Sequence, residues 1–174
     1  MQNNCWLPPI EEFNDYGGDW NNYEKMLYSI FKKDFLDSKP TFERKPVNIR
    51  RYPKVGDKEQ TFFHITTQDS SKNGERIPDM RRCERIRWVR AFIENYNCDP
   101  TKCIDCNGVK VWEEDTKKGS GKRVHLLLEE ERFMVVLERR DTYNLLITAF
   151  YFEHAHSLSK KVHKFENYRK SIIL

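Results

Sequence analysis

Apolar residues recur at helical spacing in some stretches of the chain and in short, dense runs in others, and that pattern alone predicts an order of elements. Residues 1–20 are irregular: Trp6 and Phe13 sit among Pro8, Pro9, Gly17 and Gly18, so a ring-bearing arm is expected to lie on the rest. Over residues 21–37, Tyr23, Leu27, Ile30, Phe31 and Phe35 share one helical face, and Lys39 with Pro40 ends that helix. Residues 46–52 and 61–67 read as two strands, joined into a hairpin through the turn-rich 54–58 around Gly56. Residues 68–75 are polar and read as a mobile loop. Pro78 and Asp79 start a second helix, to about Tyr96, that buries Cys83, Ile86, Val89 or Arg90, Ile93 and Tyr96. Another face of it carries Arg81, Glu84, Arg85 and Trp88 as an i, i+3, i+4, i+7 row. Strand-like runs at 109–113, 123–128, 133–138 and 143–152, with short links, predict an antiparallel meander. Leu158, Val162, Phe165, Tyr168 and Ile172 then close the chain as a helix packed on that sheet.

The expected fold class is α+β: an antiparallel β-sheet, built from the meander plus an N-terminal hairpin, packed with about three helices. At 174 residues the chain suits one domain, taken as 21–174 behind the arm 1–20, and no internal repeat is visible. Charged residues are 33% of the chain, yet eleven Phe, eight Tyr and four Trp supply enough ring surface for a core, which excludes disorder. The net charge of +4 is mild, because 27 acids offset 31 bases, so the distribution of charge must identify any partner. The N-terminus has no basic region followed by an apolar one, and no run reaches the roughly 18 to 20 apolar residues that cross a bilayer. A cytoplasmic protein without a membrane partner is expected. Five cysteines, an odd number, then read as reduced thiols or metal ligands rather than a disulfide framework.

Several groups could carry chemistry. His64 lies beside Phe62 and Phe63; a histidine there is either a structural hydrogen-bonding group or a proton carrier, since its ordinary pKa is about 6.5. Residues 80–90 contain Arg81, Arg82, Arg85, Arg87 and Arg90. The guanidinium fork matches phosphate oxygens, so such a run can hold a phosphate or a pentacoordinate transition state; it can equally be a solvated face laced to acids such as Glu84. Trp88 on the same row could stack a base or belong to the core. Lys117, Lys118, Lys122 and Arg123, around Gly119 and Gly121, form a basic hairpin tip able to touch phosphates without sequence preference, or a plain solvated turn. Cys98, Cys103 and Cys106, with Cys83 or a histidine, could make a structural zinc site, though no second pair stands at the usual separation. His154, His156 and His163 border lysines on a basic surface helix. No ordered Ser/His/Asp set, catalytic carboxylate pair or phosphate-cradling loop is present, which argues against familiar hydrolases and kinases.

Three stretches, Thr61-Phe-Phe-His-Ile-Thr-Thr67, Pro78-Asp-Met-Arg-Arg-Cys-Glu-Arg-Ile-Arg-Trp88 and the run from Val135 through Leu146-Ile-Thr-Ala-Phe-Tyr151, together resemble phage- and defence-associated small ribonucleases. These belong to the barnase, EndoU, colicin-nuclease and RelE-like superfamily, and the resemblance covers roughly residues 40–170. It implies a helical part followed by an antiparallel sheet, and RNA cleavage on the sheet face that needs no metal or other cofactor. The hairpin before the second helix departs from the minimal pattern and leaves the placement of His64 open.

What the resemblance implies for function is a metal-independent endoribonuclease, a toxin or phage-defence effector, in which the 2′-hydroxyl attacks the adjacent phosphorus to give a 2′,3′-cyclic phosphate. The partners would be RNA and a cognate antitoxin or inhibitor. In that reading His64 is general base or acid, and Arg81, Arg82 and Arg85 clamp phosphate. Thr148 and Tyr151 position groups or donate protons, and Glu84 is a second acid–base group or an arginine holder. Arg87, Trp88 and the basic tip would bind RNA. Two other readings stand beside it: a non-catalytic RNA- or partner-binding domain, such as a phage accessory protein or inhibitor, and a zinc-stabilised interaction module.

Overall fold

The computed structural model describes residues 6–70, 74–102, 106–116 and 121–173. The first helix, α1 (Trp20–Phe31), begins where the Asp19 carboxylate accepts the Asn22 N–H at 2.8 Å and buries Tyr23, Leu27, Ile30 and Phe31. A π-helical turn, Lys32–Leu36, extends it and buries Phe35, so the expected apolar face is realised in full. A tight hairpin follows, β1 (Thr41–Phe42) and β2 (Lys45–Asn48), turning through Glu43 and Arg44 at φ 47° and 66°.

The meander is present in the expected order: β5 (Lys110–Asp115), β6 (Lys122–Leu128), β7 (Phe133–Arg139) and β8 (Asn144–Tyr151), each antiparallel to the next. The sheet is not wholly antiparallel. Val47 and Asn48 of β2 pair with Asn144 and Leu145 of β8 in parallel, giving the order β1-β2-β8-β7-β6-β5. Strands β6 and β7 are buried on both faces, which explains their unbroken apolar runs. On one face Val124, Leu126, Leu128, Val135, Leu137, Leu146 and Ala149 join α1 and the second helical region in one core. On the other, Trp112, Leu127, Met134, Val136 and Phe152 receive Leu158, Val162, Phe165 and Tyr168 of α5 (Ala155–Ile173). Ile172, expected on that face, is 65% exposed, because the 19-residue helix outruns the sheet beyond β5. No helix among the described residues is long and apolar enough to cross a membrane.

Three further expectations are corrected. Residues 61–67 are not a strand: they form α2 (Gln60–Thr66). Thr66 and Thr67 donate their hydroxyls to the carbonyls of Phe62 and Phe63 at 2.7 and 2.6 Å, closing the helix on itself. The segment after it is not simply a loop, since β3 (Thr67–Asp69) and β4 (Arg76–Pro78) make a second small sheet; residues 71–73 lie outside the described residues. The second helix is two, α3 (Met80–Glu84) and α4 (Ile86–Glu94), broken at Arg85. The break releases the carbonyl of Glu84 to accept the Glu11 N–H at 2.8 Å, so the N-terminal arm takes over a bond the helix gives up. The described residues therefore hold five α-helices where about three were expected.

Candidate anion-binding site

Strand β2 accompanies β8 only at Asn144 and Leu145, and beyond that point α2 and α3 flank the open edge of β8. A cavity of about 450 Å³ opens there. Arg50, Arg76, Arg82 and Arg123 line it together with His64, Asp69, Thr61 and Thr148, over a floor of Leu146, Ile147 and Phe150. The lining side chains arrive from several elements. Thr61 and His64 lie one turn apart on α2, Asp69 and Arg76 are cross-strand partners in β3 and β4, and Arg82 is the third residue of α3. Arg123 comes from β6.

Hydrogen bonds fix the frame. The last turn of α2 leaves the His64 carbonyl without an intrahelical donor, and Arg82 Nη1 and Thr148 Oγ1 donate to it at 2.9 and 3.0 Å. Arg82 Nε also reaches Asp79 Oδ2 at 3.1 Å. Arg76 donates to the Thr67 hydroxyl and carbonyl, both at 2.8 Å, and to Asp69. Arg123 faces Glu138 at 3.6 Å, whereas the Arg50 guanidinium has no acidic partner among the described residues. A guanidinium carries five N–H donors, so Arg76 and Arg82 keep donors free after these bonds. Burial pushes the His64 imidazole below its ordinary pKa; Arg76 and Arg50 press the same way, Asp69 opposes, and Arg82 adds to the depression. The ring is therefore neutral at pH 7, among cations that would welcome an anion.

Of the groups expected to act together, the cavity joins His64, Arg82 and Thr148. Arg81 and Arg85 are elsewhere, around Tyr151, with guanidinium carbons 5.6 and 4.7 Å from its ring centroid. Consecutive residues of a helix point about 100° apart, so a run of arginines cannot serve one site. Glu84 holds two arginines, Arg85 at 3.2 Å and Arg81 at 3.8 Å. Arg87 pairs with Glu11 and anchors the arm. Trp88 is 3% exposed, donates its indole N–H to the Pro8 carbonyl at 2.8 Å and packs against Phe92 and Phe133; no face is left for a base. Lys122 pairs with Asp115 at 2.8 Å, and Lys117 and Lys118 lie outside the described residues.

Cys103 also lies outside them, and among the described residues no three His, Cys, Asp or Glu come together as a metal site. Cys83 is a core thiol directed at the Thr66 carbonyl at 3.3 Å; burial, with Asp79 and Glu84 nearby, pushes it up to about 12. Cys98 is half-buried, and Cys106 Sγ accepts the Gly108 N–H at 3.2 Å. Arg50, Thr61, Asp69 and Arg76 escaped sequence reasoning. The Thr61–His64 spacing would have joined two of these groups had the segment been read as a helix; the others carry no local signal.

A second polar cluster lies beneath α5. His125 stacks on Trp112 with centroids 4.8 Å apart, its Nε2 is 3.6 Å from Glu114 Oε1, and its buried Nδ1 has no hydrogen-bond partner among the described residues. Burial drives its pKa down to about 4; Glu114 opposes this, and Lys161, Lys164 and Arg123 reinforce it. Burial also works against ionising Glu114, but hydrogen bonds from Lys164 and Trp112 and the nearby charges of His125 and Lys161 outweigh it and hold Glu114 at about 2. This cluster pins α5 to β5 and does not line the cavity. Comparison with protein-family models, with curated proteins and with solved structures finds no match to this chain.

Proposed function

We propose that the cavity binds a phosphodiester of RNA and that His64 accepts the proton of the adjacent 2′-hydroxyl. The freed oxygen attacks phosphorus, the 5′-oxygen leaves and takes a proton from water, and a 2′,3′-cyclic phosphate results. The observation that carries this reading is a neutral imidazole in one cavity with four guanidiniums, Arg50, Arg76, Arg82 and Arg123. A base needs a free lone pair near neutral pH, and the charge that grows on the phosphorane needs fixed donors. Thr148 and Arg82 serve through the His64 backbone, holding the end of α2 in place. A toxin or defence effector restrained by a cognate inhibitor belongs to the same reading.

One observation favours binding without turnover: among the described residues, apart from His64, Asp69 is the only non-arginine titratable side chain lining the cavity, and Arg76 holds it. Incubation of the protein with mixed cellular RNA in excess EDTA, with end-group analysis, separates the two. Cleavage leaving cyclic phosphate ends, and reduced at least 100-fold in His64→Ala, is the expected result. RNA affinity without any cleavage establishes the binding domain instead, and a folded protein that neither binds nor cleaves RNA removes both.

A further inference from the structure

Three guanidiniums converge on one phenol ring at the end of β8. Those of Arg81, Arg85 and Arg132 stand 5.6, 4.7 and 5.6 Å from the Tyr151 centroid. Two carboxylates serve them: Glu84, at 3.8 and 3.2 Å from Arg81 and Arg85, and Glu153, at 3.9 Å from Arg81. Arg132 donates to the Glu153 backbone carbonyl at 2.7 Å rather than to a carboxylate. Among the described residues of this cluster three guanidiniums thus stand with two carboxylates. Among the described residues the buried Nε–H groups of both Arg85 and Arg132 find no acceptor, although leaving a buried donor unpaired is costly. Packing alone does not require cations here, since Tyr151 would be satisfied by apolar neighbours. The arrangement suits an anion whose oxygens receive N–H groups from more than one arginine.

This cluster is the other side of the same strand end. Arg82 lies 5.6 Å over Phe150, which floors the cavity, while Arg81 lies 5.6 Å over Tyr151. Neighbouring strand residues point to opposite faces, so consecutive arginines of α3 straddle the end of β8. From Thr148, in the cavity, to Tyr151 is three residues, or roughly 10 Å at about 3.3 Å each. That is the reach of about three stacked nucleotides at roughly 3.4 Å each.

We infer that the Arg81–Arg85–Arg132 cluster is a second phosphate site, taking a phosphate of the same RNA strand a few nucleotides from the one in the cavity. The inference rests on the RNA reading of the cavity. It makes the protein a reader of single-stranded RNA several nucleotides long, with α3 as the ridge the backbone crosses. Arg81, about half exposed, is the residue to remove, because its two ion pairs are long and its loss leaves the core intact.

The probes are a 2′-O-methyl oligouridine octanucleotide, which cannot undergo 2′-hydroxyl attack, and the corresponding dinucleotide, which has a single phosphate. Arg81→Ala is expected to weaken the octanucleotide five- to tenfold and to lower the slope of log affinity against log salt by about 0.7. It should leave the dinucleotide unchanged, whereas Arg82→Gln weakens both. An octanucleotide affinity and salt slope untouched by Arg81→Ala, with Arg82→Gln still impaired, overturns the second site and leaves the cavity reading standing. An unaltered protein that binds neither probe overturns the cavity reading, and this inference with it.

Discussion

Arg82 shows how one side chain can serve both frame and site. Its fork holds the Asp79 carboxylate and the His64 carbonyl, and what remains of it faces the cavity. Lysine offers a point charge without the fork, so Arg82→Lys should keep the charge and lose the geometry. A stability loss of about 1–3 kcal/mol in urea unfolding, with dinucleotide affinity reduced rather than preserved, is expected. His125 gives the residue-scale pH dependence. Its folded pKa of about 4 lies below the ordinary value of 6.5, so between these limits the unfolded chain binds the proton and the folded one does not. Stability attributable to His125 is therefore intact above pH 6.5 and falls as pH drops towards 4, by about 3 kcal/mol in total. Glu114, held at about 2, adds its own loss only below pH 4.5. Urea midpoints measured from pH 7.5 to pH 4 should decline in the native protein and flatten in His125→Phe; equal slopes in the two would refute the assignment.

The broken helix α3–α4 is the element that connects most of the structure. On one side of the break Arg82 and Asp79 secure α2, and on the other Trp88 and Arg87 secure the N-terminal arm through Pro8 and Glu11. The kink at Arg85 is what lets both happen. With the Glu84 carbonyl turned out to Glu11, α4 swings Trp88 into the core against Phe92 and Phe133. Truncating Trp88 removes a large buried ring and the anchor of the arm together. Trp88→Ala is expected to cost about 3–5 kcal/mol, read from denaturant midpoints, and to speed hydrogen exchange at the Glu11 amide. Dinucleotide affinity per folded molecule should hold, since Trp88 does not line the cavity.

For the whole molecule, a net charge of +4 says little, and the grouping of its arginines says more. Hydrophobic periodicity foretold the α+β class, the four-strand meander and the flanking helices, because a face buried over several turns or a whole strand leaves its record in adjacent residues. The ring-rich arm was legible for the same local reason. The path of residues 61–67 was not. A seven-residue segment with only Phe62, Phe63 and Ile65 apolar suits helix or strand equally, and the threonine back-bonds with the exposed edge of β8 decided for the helix. Nor could the sequence tell which arginines meet, since helix geometry parts Arg81 from Arg82 while long-range folding brings Arg50, Arg76 and Arg123 to His64. The sequence by itself thus determined which elements exist and that cations would be plentiful. Only the tertiary structure decided where those cations converge, because a cavity lined from seven separate segments is recorded in no local pattern.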